Sequence, residues 1–172
     1  MTVLAVTVLG HDRPGIIAQA TSALSDLGLN LEDSTMTLLR GQFAFMLICS
    51  GDADAAAVAT ALEPLRSDGS LDVAVRPVRA EPQPTRTGVA HQLIVHGGDR
   101  PGIVSALTAV LADVGGNVTD LSTRLTGELY VVIAEVDVPD GVDVTRLRER
   151  IADVAEQVGV DASLTVVETD LL

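Results

Sequence analysis

The chain opens on an apolar, β-branched run from Thr2 to Leu9, in which Leu4, Val6 and Val8 share one face; it predicts a buried strand. Ile16, Ile17, Ala20, Ala23, Leu24 and Leu27 then recur at helical spacing, and Gly28 predicts the stop as a residue just past the helix end. Two strand-like runs follow, Asn30 to Leu39 and Gln42 to Ser50, joined by a turn at Arg40-Gly41. Asp52 or Asp54 predicts the cap of a second helix, with Val58, Leu62 and Leu65 inward and Pro64 shortening or bending its end. Leu71, Val73 and Val75 alternate with polar or small residues and predict a last strand. The order is βαββαβ.

A polar stretch with Pro82 and Pro84 comes next and reads as a linker. Beyond it the order recurs. His91 to His96 predicts a strand. Ile103, Val104, Leu107, Val110, Leu111 and Val114 predict a helix stopped at Gly115-Gly116. Asn117 to Leu125 and Glu128 to Val138 predict a hairpin. Val144, Leu147, Ile151, Val154 and Val158 mark a long helix, and Leu164 and Val166 a closing strand. Matching Gly41 with Gly127 predicts that the second copy has lost one residue at the strand tips. The expected domains are residues 1–79 and 89–172, joined by 80–88. Each is expected to be an α+β, ferredoxin-like sandwich: a four-stranded antiparallel sheet of order 4-1-3-2 with two helices on one face. Strand two, at an edge, offers unpaired backbone groups, which predicts a pseudo-twofold pair of units and a homodimer.

The strongest repeat lies where each first strand meets its helix: GHDRPGII at 10–17 and GGDRPGIV at 97–104. Each predicts a strand-to-helix turn that presents free backbone N–H groups, a place for an anion or a carboxylate. Pro14 suits a first helical position, with Asp12 or Arg13 near the N-cap. Asp12 and Asp99 can cap the helix or meet an ammonium group; Arg13 and Arg100 can pair with a surface carboxylate. Gly15 and Gly102 serve turn geometry and let a ligand approach the backbone.

Charge and composition narrow the classes. The formal net charge is −13, and all eleven basic residues are Arg. That field repels phosphate backbones and acidic membranes, so neither direct nucleic-acid binding nor a membrane partner is expected. Without Lys, Schiff-base chemistry and Walker-type phosphate loops are excluded. Cys49, alone and inside an apolar run, predicts a buried inert thiol. His11, His91 and His96 have no metal-binding spacing and read as surface or interface residues; no metal, cofactor or catalytic constellation is expected. Asp137, Asp140 and Asp143 read as a solvated turn, and Arg146, Arg148 and Arg150 as a solvated helix face. The N-terminus lacks a charged start and cleavage site, and no apolar run is long enough to span a bilayer, so the expectation is a cytoplasmic protein.

The DRPG turns, a Gly-x-Asn step into strand two (Gly28-Leu29-Asn30 and Gly115-Gly116-Asn117) and the βαββαβ order together resemble the ACT family of small-molecule-binding regulatory domains. With nothing else on the chain, the arrangement is similar to the free-standing tandem-ACT proteins of the glycine cleavage system transcriptional repressor family. That resemblance implies a non-enzymatic regulator that binds a small amino acid, glycine or serine, and signals through a partner protein. It implies ligand contacts at His11, Asp12, Arg13, Pro14, Gly15, Ile16 and Ile17, with Asn30 and Leu31 of a neighbouring unit. In the second copy the matching set is Gly98, Asp99, Arg100, Pro101, Gly102, Ile103 and Val104, with Asn117 and Val118. The alternative is an assembly module whose turns bind nothing.

Overall fold

The computed structural model describes residues 2–78 and 88–167. The chain forms two compact units, dividing between Glu81 and Pro82. The expected linker, residues 80–88, lies outside the described residues except for Gly88.

In the first unit β1 (Thr2–His11) leads into α1 (Ile16–Asp26), then the hairpin of β2 (Asn30–Leu39) and β3 (Gln42–Gly51). Two short helices, α2 (Ala55–Ala61) and α3 (Glu63–Arg66), precede β4 (Leu71–Pro77). The second unit runs β5 (Gly88–Gly98), α4 (Ile103–Asp113), β6 (Asn117–Thr126), β7 (Leu129–Pro139), α5 (Val144–Val158) and β8 (Val160–Val166). The sheets have orders β2-β3-β1-β4 and β6-β7-β5-β8, all antiparallel, with β2 and β6 each on an edge as expected.

Alternation dictates the cores. Leu4, Val6 and Val8 of β1 and Phe43, Phe45, Leu47 and Cys49 of β3 bury one face against Ile16, Ala20 and Leu24 of α1 and Val58, Leu62 and Leu65. In the second unit Leu93 and Val95 of β5 and Val132, Ala134, Val136 and Val138 of β7 meet Ile103, Leu107 and Leu111 of α4 and Leu147, Ile151 and Ala155 of α5. Pro64 cannot donate an amide and breaks the first unit's second helix into α2 and α3; α5 has no such break and runs through. Both first helices end alike. Gly28 (φ 69°) returns its N–H to Ser25 O at 2.8 Å and Leu29 returns its own to Leu24 O at 3.0 Å; Gly115 and Gly116 repeat this on Ala112 and Leu111.

The hairpins correct one expectation. Leu39 pairs with Gln42 and Thr126 with Leu129, each pair closing a two-residue turn, so the copies stay 87 positions apart through both hairpins. No residue is lost at the strand tips. The glycine has moved within the turn instead. In Arg40-Gly41 both residues have positive φ (50° and 82°), whereas in Gly127-Glu128 the glycine comes first (φ 63°). Either placement fits a tight turn between twisted strands, so matching glycine to glycine displaced the alignment. The length difference lies later: the helix caps Asp54 and Asp143 are 89 positions apart.

A candidate ligand-binding site at the strand-to-helix turns

In the first unit the turn is held from both sides. His11 donates its N–H to Ser70 O and Asp12 donates to Gly41 O, each at 3.0 Å. The chain then enters α1 through Gly15, whose φ of 90° only glycine adopts freely. The second unit repeats this at Gly102, with φ 97°. The glycines, not Asp or Arg, are therefore the N-cap residues, and Pro14 and Pro101 precede the cap rather than opening the helix. A left-handed cap points its carbonyl into the helix, accepting the Gln19 N–H at 2.9 Å, but it carries no side chain to return to the first turn. The amides of Ile17 and Ala18, ahead of the first helical donor, have no acceptor within the helix. A carboxylate placed there meets these donors and the positive end of the helix dipole.

The arginines serve the scaffold. Arg13 Nε lies 3.7 Å from Asp68 Oδ2, and its Nη1 donates to Gln19 Oε1 at 3.3 Å. Asp68 also accepts from the Ser70 hydroxyl at 2.6 Å and the Ser70 N–H at 2.9 Å. These bonds, led by the hydroxyl and with Arg13 adding a smaller pull, hold its carboxyl below the usual aspartate range. Arg100 reaches the corresponding end of the second helix: its guanidinium covers Gly159, the C-cap of α5, where a Cβ would lie 2.5 Å from a guanidinium nitrogen. A cation there complements the negative end of α5. In both units the turn is thus strapped to the C-terminal end of the second helical segment.

Beside the first turn is an open cavity of about 430 Å³, lined by Asp12, Arg13, Gly15, Ile16, Ile17, Ala18, Met36 and Phe43. That volume falls in the range of about 300–1,000 Å³ usual for small-molecule sites. Ile16 and Phe43 are buried and form the floor, while Ile17 and Met36 stand exposed at the rim. Met36 and Phe43 escaped the sequence reading. Their signal lay in the register, since Phe43 faces Gly10 across β1 and β3 and so stands beside the turn.

The strand-two residues lie elsewhere within their own unit. Asn30 pairs with Ser50, and Leu31 with Cys49, at the sheet end opposite the turn; Asn117 and Val118 pair with Asp137 and Val136 likewise. A ten-residue strand separates the two ends by roughly 30 Å. His11 is exposed, its Nδ1 3.5 Å from Gln42 Nε2, and it is not part of the cavity lining; Gly98 offers no side chain.

Four residues outside the turns show how far burial follows residue type. His91 is not a surface histidine: it is 1% exposed, on the core face of β5, with Nδ1 2.8 Å from Val89 O. Cys49 is buried, its thiol directed at Leu4 O, and burial pushes that thiol up. Arg148 and Arg150 are engaged rather than merely solvated, on Leu164 O at 2.8 Å and Asp113 Oδ2 at 2.7 Å. Among the described residues no His, Cys, Asp or Glu group of three or more could hold a metal ion, and no helix is long and apolar enough to cross a membrane.

Comparisons with known proteins agree with this architecture. Two ACT domain models match, over residues 2–76 and 91–153. The chain is 26% identical over 173 residues to the glycine cleavage system transcriptional repressor of Escherichia coli K12, covering 95% of this chain and 90% of that protein. It is 38% identical over 68 residues to UPF0237 protein MK1213 of Methanopyrus kandleri, covering 39% of this chain and 76% of that one. The crystal structure of an unknown protein from Galdieria sulphuraria superposes with a TM-score of 0.81 at 31% identity, over 96% of this chain and 98% of that chain. Two βαββαβ units, each opened by a glycine-capped DRPG turn, and two matching domain models place the chain in the ACT domain family, with the domain present twice.

Proposed function

We propose that this protein is a non-enzymatic regulator that binds a small amino acid at its DRPG turns and passes the bound state to a partner protein. The observation that carries the reading is the cavity at the first turn, where uncapped helix amides, the Asp12 carboxylate and an apolar floor meet within one small space. An amino acid offers the complementary set: a carboxylate for the amides and an ammonium group for Asp12 or Asp99. The relative that matches along nearly the full chain is named for the glycine cleavage system, so glycine and serine are the first ligands to test. Binding shifts a regulator only through its different affinities for two states of the chain. β2 and β6 lie at sheet edges; on this reading pairing of those edges with a second copy of the chain is what changes, and Asn30, Leu31, Asn117 and Val118 complete the site of that copy.

Calorimetry of the full chain against the twenty amino acids tests the reading. The double variant Ile17→Asp and Val104→Asp places a carboxylate beside each set of amides. Both positions are incompletely buried, and acids in a first turn favour the helix, so the fold is retained. The parent should give saturable heat with at least one amino acid and the folded variant none. No heat from the parent would leave only an assembly module.

A further inference from the structure

The two turns share their backbone but not their walls. Register and helix position match Ile17 with Val104, Ala18 with Ser105, Met36 with Thr123 and Phe43 with Tyr130. Three of these four exchanges add a hydroxyl at the second turn. Phe43 faces Gly10 and Tyr130 faces Gly97, and Met36 and Thr123 face Phe45 and Val132, so each pair occupies the same place in its sheet. The Ser105 hydroxyl is committed, donating to Gly102 O at 3.0 Å. Those of Thr123 and Tyr130 are half-buried and engage no other group among the described residues.

Resting on the reading that the turns bind amino acids, we infer that the two sites take different classes: an aliphatic or thioether side chain at the first turn, and a small hydroxylated one at the second. Besides Asp12, Arg13, Gly15 and Ile16, whose counterparts recur at the second turn, the first cavity is lined by the hydrocarbon of Ile17 and Ala18, the Met36 thioether and the Phe43 ring. A polar side chain lodged against these four gives up water and gains no partner from them, since Arg13 is engaged by Asp68 and Gln19 and Asp12 meets the ammonium group. At the second turn Thr123 and Tyr130 supply a donor and an acceptor each. Their unmet capacity favours a ligand that answers it and penalises one that does not. The shared DRPG backbone reads the common α-amino and carboxylate groups, and the four exchanged positions read the side chain. The chain would then report on two metabolites at once.

The test is calorimetry of the full chain with leucine and with serine, each alone and each in the presence of saturating amounts of the other. The expected result is one site per chain for each, with neither displacing the other. Met36→Thr should weaken leucine on the order of tenfold and leave serine unchanged. Thr123→Met with Tyr130→Phe should weaken serine and leave leucine unchanged. These positions are exposed or half-buried, so the variants keep the fold. Competition between the two amino acids for the same sites, or equal loss of both in either variant, would overturn the division while leaving amino-acid binding in place. Failure of all twenty amino acids to bind the parent would remove the underlying reading and the division with it.

Discussion

At the scale of single residues, the glycines of this chain are not equivalent, and magnitudes separate them. Gly10 has φ 152°, and a Cβ on it would run into the Ser70 carbonyl oxygen. Gly41 has φ 82° but open space around its missing Cβ. Gly41→Ala should therefore cost only the left-handed backbone penalty, about 1–2 kcal/mol. Gly10→Ala must also part β1 from β4 and should cost about 3 kcal/mol or more. Urea unfolding that found the two equal would discount the close approach. Asp68 gives a second prediction. Its folded pKa lies below the ordinary value, so the bond network adds stability above that value and loses it as pH falls through the folded pKa. Ser70→Ala removes the strongest donor, and an NMR titration of the carboxyl carbon should then show the Asp68 midpoint moving up. An unmoved midpoint would assign the effect elsewhere. The sequence made the DRPG residues visible but not their division of labour. Asp12 and Arg13 were legible as cap or ion-pair formers by residue type, yet the cap is Gly15. A left-handed cap is a backbone property that composition does not announce. His91 misled for a similar reason. Its type speaks for the surface, and only the alternation with Leu93 and Val95 shows that it shares the core face.

At the scale of elements, the hydrophobic periods located the strands and four helical stretches, one of which divides at Pro64 into α2 and α3, because each one-faced element must show its core side every second or every third to fourth residue. Strand order followed from the βαββαβ sequence of elements. What the pattern could not resolve was turn register, since a two-residue hairpin accepts glycine in either position. Of the caps, the sequence offers Asp52 or Asp54 in the first unit and reads Asp143 only as part of a solvated turn; the caps formed are Asp54, which accepts from Ala57 N–H at 2.8 Å, and Asp143, which accepts from Arg146 N–H at 3.1 Å. Asp54→Ala and Asp143→Ala should each cost about 1 kcal/mol. The consequences should differ locally. The first unit's second helix is broken at Pro64 and has little length to absorb fraying, whereas α5 continues for 15 residues with Leu147, Ile151 and Ala155 buried along it. Amide exchange should therefore quicken throughout α2 in Asp54→Ala and only over the first turn of α5 in Asp143→Ala. Uniform quickening along α5 would contradict this account. The candidate site was half legible on the same grounds. The turn is contiguous and visible as a repeat, but its wall comes from Met36 and Phe43 on two other strands, whose places depend on register.

At the scale of the whole molecule, charge decides whether the protein itself can engage nucleic acid. The chain carries 24 acidic residues against 11 arginines. Several arginines are already committed inside their own unit. Arg13 is held by Asp68, Arg66 by Glu63, Arg148 by Leu164 O and Arg150 by Asp113, while Arg100 caps α5 over Gly159. A duplex-binding surface needs several cations free to neutralise phosphates together, and each contact displaces condensed counterions. With five of the eleven arginines engaged in their own unit and a net charge of −13, the electrostatic term that dominates nucleic-acid affinity is repulsive. Under the function proposed above, any effect on transcription would then pass through another protein that binds DNA. Fluorescence anisotropy of a labelled duplex should show no association with the pure protein at about 0.15 M salt, where charges are screened beyond roughly 8 Å. It should also show none at lower salt, because weaker screening strengthens repulsion here rather than attraction. Saturable binding that tightened as salt fell would reveal a cationic face and return the regulatory output to the protein itself.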